Sequence, residues 1–414
     1  MTPLPASTTP SASDAPTRVM VVDDSVVVRG LTARWLEEAG FVVAATCSNG
    51  RIAVDQIERA RPDIVILDIE MPEMDGLQAL PLLLAKAPRA SIVVISTLTQ
   101  RNAQVSLKCL SMGATDYLPK PESHRGVTTS TTFRHELITK VQGLAGRHRR
   151  SAPSPIAAAG APRTSLATPM RAGAAPEPAG QPLARPVRTY GQVRAAPAAH
   201  ETRLETTRVQ VRPRTGLVAP KVLLVGASTG GPRAVGEVLA ALAPSLSRVP
   251  ILVVQHMPPI FTAVFAEHLA AQTRLPAAEG REGERLEPGR IYVAAGGKHM
   301  GLRRDGAGGA PLVRIDDGPP ENFCKPAVDV LFRDAAAIYG AGTLAVVLTG
   351  MGSDGALGAK ALVQAGGAVV VQDEATSTVW GMPGAVAKAG LAHDILPLPA
   401  IAPALRGMLN GGAA

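Results

Sequence analysis

Cysteine is scarce: Cys47, Cys109 and Cys324 are the only three in 414 residues, far apart and without metal-ligand spacing. That excludes a disulfide framework and reads as reduced thiols packed as small buried hydrophobes. No uninterrupted apolar run reaches the roughly 18 residues a membrane span needs, so no membrane insertion is expected. The opening "MTPLPASTTPSASDAPT" lacks both a basic start and an apolar core. It reads as a disordered tail rather than a signal peptide, and a cytoplasmic location is the expectation. A repeat of the kind that builds solenoids is also missing.

What is present describes a globular protein, with 46% hydrophobic and 18% charged residues and enough length for two cores. The net charge of +8 could suggest a nucleic-acid partner, but it is regional: residues 121–220 carry 15 Lys and Arg against 5 Asp and Glu. Nearly half of that window is Ala, Pro, Arg and Ser, with almost no aromatic residue. Such a composition cannot bury enough apolar surface to offset the entropy of ordering. It reads as a solvated linker, and no DNA partner is expected.

Two regions alternate between buried-strand and helical patterns. In the first, apolar runs lie at 18–22, 64–67 and 91–95, with weaker ones at 41–45 and 116–118, and the amphipathic "FRHELITKVQGLAG" closes it near 146. In the second, strand candidates are 221–225, 250–254, 290–294, 344–348 and 368–371. Helical patterns there run at about 232–242, 260–271, 327–337 and 384–389. The fold class is therefore α/β, two doubly wound parallel sheets. The expected division is a tail at 1–16, a first domain at 17–148, a linker at 149–216 and a second domain at 217–414. Sites on such sheets lie outside the carboxyl ends of the strands.

Asp23 and Asp24 follow the first strand and Asp68 follows "DIVIL", so three carboxylates should converge on one edge. Like charges that close need a cation, and Mg²⁺ suits oxygen donors. Ser96 follows "SIVVI" and Lys120 follows "DYLP", which puts a hydroxyl and an ammonium opposite the acids. A nucleophilic carboxylate, a metal and a cation are the parts phosphoryl transfer requires. "VMVVDDS", "DIVILDIEMPEMDGL", "VVIST" and "GATDYLPKP" resemble the receiver domain of two-component response regulators. The resemblance implies that Asp68 is the phosphoacceptor, that Asp23 and Asp24 hold Mg²⁺ with it, and that Ser96 is the switch hydroxyl. It also implies that Tyr117 is the coupled aromatic, Lys120 the phosphate-binding lysine, and a histidine kinase the phosphodonor.

In the second region, "LLVGASTGGPRAV" sets Ser228 between glycines straight after a strand. The G-x-S-x-G match fits a serine exposed on a sharp strand-to-helix turn, and a glycine-rich turn entering a helix also fits a phosphate site. Against the phosphate reading, there is no G-K-[ST] and the next strand ends in Gln255 and His256 rather than an acid. A nucleophilic serine needs a base and an orienting carboxylate. His256 after "PILVVQ" and Asp354 in "VVLTGMGSDGALG" would share its sheet edge. His268 falls in a helical pattern, His299 in a glycine-rich turn, and His393, before "DILPL", at the opposite edge. Backbone N–H groups near Met351 and at the helix start after Ser228, from Thr229 on, could hold an acyl oxyanion.

"GASTGGPRAV", "VVQHM", "GRIYVAAGGKHM", "PPENFCKPAVDVLF", "VVLTGMGSDGALG" and "QDEATSTVWGMPGAVA" resemble the catalytic domain of chemotaxis protein-glutamate methylesterases, CheB-type. The resemblance implies a Ser228–His256–Asp354 triad with Met351 at the oxyanion hole and no cofactor in this domain. It implies demethylation of glutamate methyl esters on methyl-accepting chemoreceptors, with methanol released, and deamidation of glutamines. It further implies that the unphosphorylated receiver covers the esterase face. The alternatives are a non-enzymatic response regulator whose basic segment binds DNA or protein, and a receiver-controlled esterase of small molecules.

Overall fold

The computed structural model describes residues 16–120, 131–151, 211–213, 218–306 and 308–411. The expected tail and linker fall almost wholly outside them. The first sheet is parallel, in the order β2-β1-β3-β4-β5. Its strands are β1 (Arg18–Val22), β2 (Val42–Cys47), β3 (Ile64–Asp68), β4 (Ser91–Thr97) and β5 (Asp116–Lys120). The helices are α1 (Val26–Glu38), α2 (Gly50–Ala60), α3 (Gly76–Lys86), α4 (Gln100–Ser111) and α5 (Thr131–Ser151). Ser25, Asn49, Asp75 and Thr99 each accept a backbone N–H of the first turn of α1 to α4, which ends the preceding loop and starts the helix. Every residue of β3 is buried, as a strand covered on both faces must be.

The second sheet, also parallel, runs β14-β13-β12-β6-β7-β9-β8. Its chain order is β6 (Val222–Ala227), α6 (Gly231–Leu242), β7 (Ile251–Gln255), α7 (Phe261–Thr273), β8 (Ala277–Glu279) and β9 (Ile291–Val293). An antiparallel hairpin, β10 (His299–Arg304) with β11 (Pro311–Asp316), precedes α8 (Val328–Tyr339), β12 (Thr343–Val347) and α9 (Ala356–Gln364). The chain ends with β13 (Ala368–Gln372), α10 (Met382–Lys388), β14 (Asp394–Leu396) and α11 (Leu398–Leu409). β6 sits between β7 and β12, so the strand order reverses beside it and a crevice opens at its carboxyl end.

Both expected sheets are present, and the differences have local causes. The strands β8 and β14 are three residues long, too short to show a period. The helix α11 carries an internal Pro403, which interrupts the helical pattern in the sequence, and α9 starts inside the glycine-rich segment after β12 without a side-chain cap. The helix α5 continues to Ser151, beyond its expected end near 146. His299 lies in β10 rather than in a turn, because the hairpin extends the chain there. Among the described residues no helix is long and apolar enough to cross a membrane.

The two sheets belong to one packed body. The Tyr117 ring of β5 stacks on Phe261 of α7, with centroids 4.7 Å apart and planes at 11°. Phe133, Leu137, Val141, Leu144 and Ala145 of α5 form one apolar cluster with Val379, and Met351 packs against it. Gly143 lies at this contact, where a Cβ would press on the Met351 methyl and touch Val379.

Candidate active site

Ser228 occupies the turn between β6 and α6. Its N–H donates to the Thr349 carbonyl at 3.1 Å, and its own carbonyl accepts from the Gly231 N–H at 2.7 Å and from Nε2 of Gln255 at 2.9 Å. The Thr349 hydroxyl donates to the Thr229 carbonyl at 2.9 Å and accepts from the Val379 N–H at 3.0 Å. Gly230 adopts φ +75°, where a side chain would also strike Thr378. Gly350 lies so close that its missing Cβ would sit 2.9 Å from Cβ of Ser228. The Thr229 and Met351 N–H groups have no acceptor among the described residues. The turn is thus rigid, and both donors remain available to an incoming anion.

His256 follows β7, one strand away. Its Nε2 lies 2.7 Å from Oδ2 of Asp354, and its Nδ1 lies 3.5 Å from Sγ of Cys324. Asp354 is fully buried beyond β12 and faces the N-terminus of α8: it accepts the N–H groups of Val328 at 2.7 Å and Asp329 at 3.0 Å. The Gly355 N–H and Nδ2 of Asn322 complete its shell. Burial opposes its charge, but the His256 bond and these donors outweigh burial and hold the carboxyl below the ordinary value. For His256, burial pulls the pKa down, while Asp354 and Cys324 together push it up to about 9. Among the described residues, no hydrogen bond joins the Ser228 hydroxyl to the ring. The imidazole is held between the carboxylate and the thiol.

At the first sheet, Asp23, Asp24 and Asp68 converge at the carboxyl edge. The Lys120 ammonium donates to Oδ2 of Asp68 at 2.6 Å and lies 3.6 Å from Oδ2 of Asp23. Oδ1 of Asp68 and Oδ2 of Asp23 are buried without a hydrogen-bond partner. Burial, with the Asp23 charge added, pushes the Asp68 pKa up to about 7 against the pull of Lys120. With donor atoms of Asp23, Asp24 and Asp68 within 4.8 Å of one another, two orphaned carboxylate oxygens fit a hard cation. The Ser96 hydroxyl sits 2.8 Å from that of Ser106, at the end of the neighbouring strand.

Residues 223–405 match the family model described as CheB methylesterase, and residues 19–131 that of the response regulator receiver domain. A protein-glutamate methylesterase/protein-glutamine glutaminase of group 2 operon from Bradyrhizobium diazoefficiens is 51% identical over 396 residues, 95% of this chain and 94% of that one. One of the same name from Rhodopseudomonas palustris is 50% identical, with 95% of each chain covered. The chain belongs to the CheB methylesterase family. A solved catalytic domain of Thermotoga maritima CheB methylesterase is 39% identical, matching 46% of this chain and all of that one with a TM-score of 0.44.

Three other histidines weighed as candidates, His268, His299 and His393, take structural positions. Nδ1 of His393 accepts the Val369 N–H at the start of β13, on the opposite edge from Ser228. His299 bridges the Pro319 carbonyl and the Ala327 N–H, and His268 pairs with Gln272 along α7. One reading requires correction: Cys47 and Cys109 are buried hydrophobes, but Cys324 is half-buried and touches the His256 ring. Thr349, Gln255 and Asn322, which lock the turn and the acid, were also missed. Thr349 and Gln255 act on backbone groups distant in sequence, and Asn322 on the carboxylates of Asp329 and Asp354, so no motif marks them.

Proposed function

We propose that the chain is a phosphorylation-regulated protein-glutamate methylesterase and protein-glutamine glutaminase that acts on methyl-accepting chemoreceptors in the cytoplasm. Relatives carrying both activities in their names match it over nearly its whole length, receiver included. The observation that carries the reading is the buried His256–Asp354 pair, 2.7 Å apart, on the same sheet rim as the Ser228 turn. The receiver occupies 17–148 and the esterase 217–414, with 149–216 as linker.

Ser228 Oγ attacks the side-chain carbonyl of a glutamate methyl ester while His256 takes its proton. The oxyanion forms against the N–H groups of Thr229 and Met351. His256 then protonates the departing methoxide, methanol leaves, and water hydrolyses the acyl-enzyme to glutamate. A glutamine substrate loses ammonia by the same steps. Asp354 fixes the ring and stabilises its charged form. In the docked arrangement both ring nitrogens are engaged, so the long contact to Cys324 must yield before Nδ1 can accept the serine proton.

In the receiver, Asp68 is the phosphoacceptor for a histidine kinase, and Lys120 steadies the phosphoryl oxygens. Asp23, Asp24 and Asp68 would hold Mg²⁺, which neutralises phosphoryl charge when bound. Ser96 and Tyr117 transmit the change: Ser96 must leave Ser106 to meet the phosphoryl group, and Tyr117 is stacked in the interface with Phe261. Methanol release from methylated receptor membranes tests the reading. Ser228→Ala should lower it by at least ~1,000-fold. Undiminished release would remove Ser228 from the mechanism.

A further inference from the structure

We propose that Cys324 and His256 form a site for a thiophilic divalent cation, with Zn²⁺ the fitting ion, and that its occupancy silences the esterase. The inhibitory half rests on His256 being the base; the site itself does not. Sγ of Cys324 and Nδ1 of His256 lie 3.5 Å apart. Donors at about 2.3 and about 2.0 Å from a tetrahedral zinc ion are separated by roughly that distance. The far ring nitrogen already bonds Asp354, the carboxylate–histidine arrangement that accompanies a metal-bound imidazole. Donor atoms of all three residues lie within 4.8 Å of one another.

The thiol is held in place before any ion arrives. Glu321 and Cys324 exchange backbone hydrogen bonds across a tight turn, at 2.8 and 3.1 Å. Asn322 ties that turn to Asp329 and Asp354, and Glu321 pairs with Arg333 at 2.6 Å. Two protein donors leave the other positions to water, so binding is reversible rather than structural. Thiolate and imidazole select zinc over the magnesium that suits the receiver's oxygen donors. On binding, the thiol proton and the proton on Nδ1 both pass to solvent, and the Nδ1 lone pair is taken by the metal. Nε2 stays with Asp354, and no ring nitrogen remains for the serine proton.

Full-length protein in excess Mg²⁺, which fills the acidic receiver cluster, is titrated with Co²⁺, whose bond to thiolate produces a near-ultraviolet charge-transfer band. One equivalent should develop the band in the wild type and in Ser228→Ala, Zn²⁺ should displace it, and Cys324→Ser and Cys324→Ala should lack it. Absence of the band, or its survival in both Cys324 variants, overturns the site. Methanol release, measured against each variant's own metal-free rate, should be inhibited by Zn²⁺ and restored by EDTA. The Cys324 variants should need at least ten times more Zn²⁺. A wild-type band with zinc-insensitive turnover overturns the inhibition and counts against His256 as base. Undiminished turnover in Ser228→Ala would instead overturn the serine mechanism while the band stands.

Discussion

His256 is the residue at the centre of the proposed mechanism. Burial alone lowers its pKa, yet Asp354 and Cys324 carry it to about 9, so at neutral pH the docked ring is protonated and cannot act as a base. Basal kcat/KM, without phosphodonor, should therefore climb with pH until about 9, and Cys324→Ala should move that limb to lower pH. A limb near 6.5 in the wild type would show that neither partner holds the proton. The same shift couples to stability: the folded value exceeds the unfolded one, so the contribution is complete below about 6.5 and is lost as pH rises through about 9. Gly350 is the tightest neighbour of the serine. Gly350→Ala places a methyl against Ser228 backbone and Cβ, and should cost roughly 1–3 kcal/mol of stability together with most of the activity, read by thermal unfolding and turnover.

Among the elements, α8 and α5 matter most to the site. The N-terminus of α8 has no cap from its own segment; Asp354 takes its first N–H groups instead. Asp354→Ala should thus lower the unfolding temperature as well as activity, by an equivalent of roughly 2 kcal/mol, from the lost cap and the stranded donors. Ser228→Ala, by contrast, removes only a hydroxyl that has no hydrogen bond among the described residues. The helix α5 lies against Met351 and Val379, beside the expected oxyanion donor. Gly143→Val should force the helix off Met351, raise basal methanol release and blunt its further rise with a small-molecule phosphodonor. Unchanged basal release in that variant would mean that α5 does not restrain the site.

For the whole molecule, regulation requires that phosphate favour one arrangement of the two sheets over the other. The Tyr117–Phe261 stack joins the edge strand β5 to α7, and α5 joins the first sheet to Met351. Asp68→Asn should abolish the rise in turnover with phosphodonor, and a preserved rise would place control elsewhere. Much of this organisation was legible beforehand. The strands carrying Asp23, Asp68, Ser228 and His256 read as apolar runs ending in polar residues, because a strand buried on both faces is hydrophobic along its length. The edge strands of the second sheet, β8 and β14, and the hairpin were not, since three-residue strands and glycine turns carry too little periodicity.

The sequence by itself determined two parallel α/β sheets, the strand ends on which chemistry could sit, and the family. The first two follow from hydrophobic period and from side chains placed directly after strands, and the family from the resemblance of whole motifs; all of these are local signals. Only the tertiary structure decided that Asp354 meets Nε2 of His256, that Cys324 meets Nδ1, and that α5 and Tyr117 close over the esterase. Each of those contacts joins residues tens to hundreds of positions apart, and packing alone chooses which of them touch.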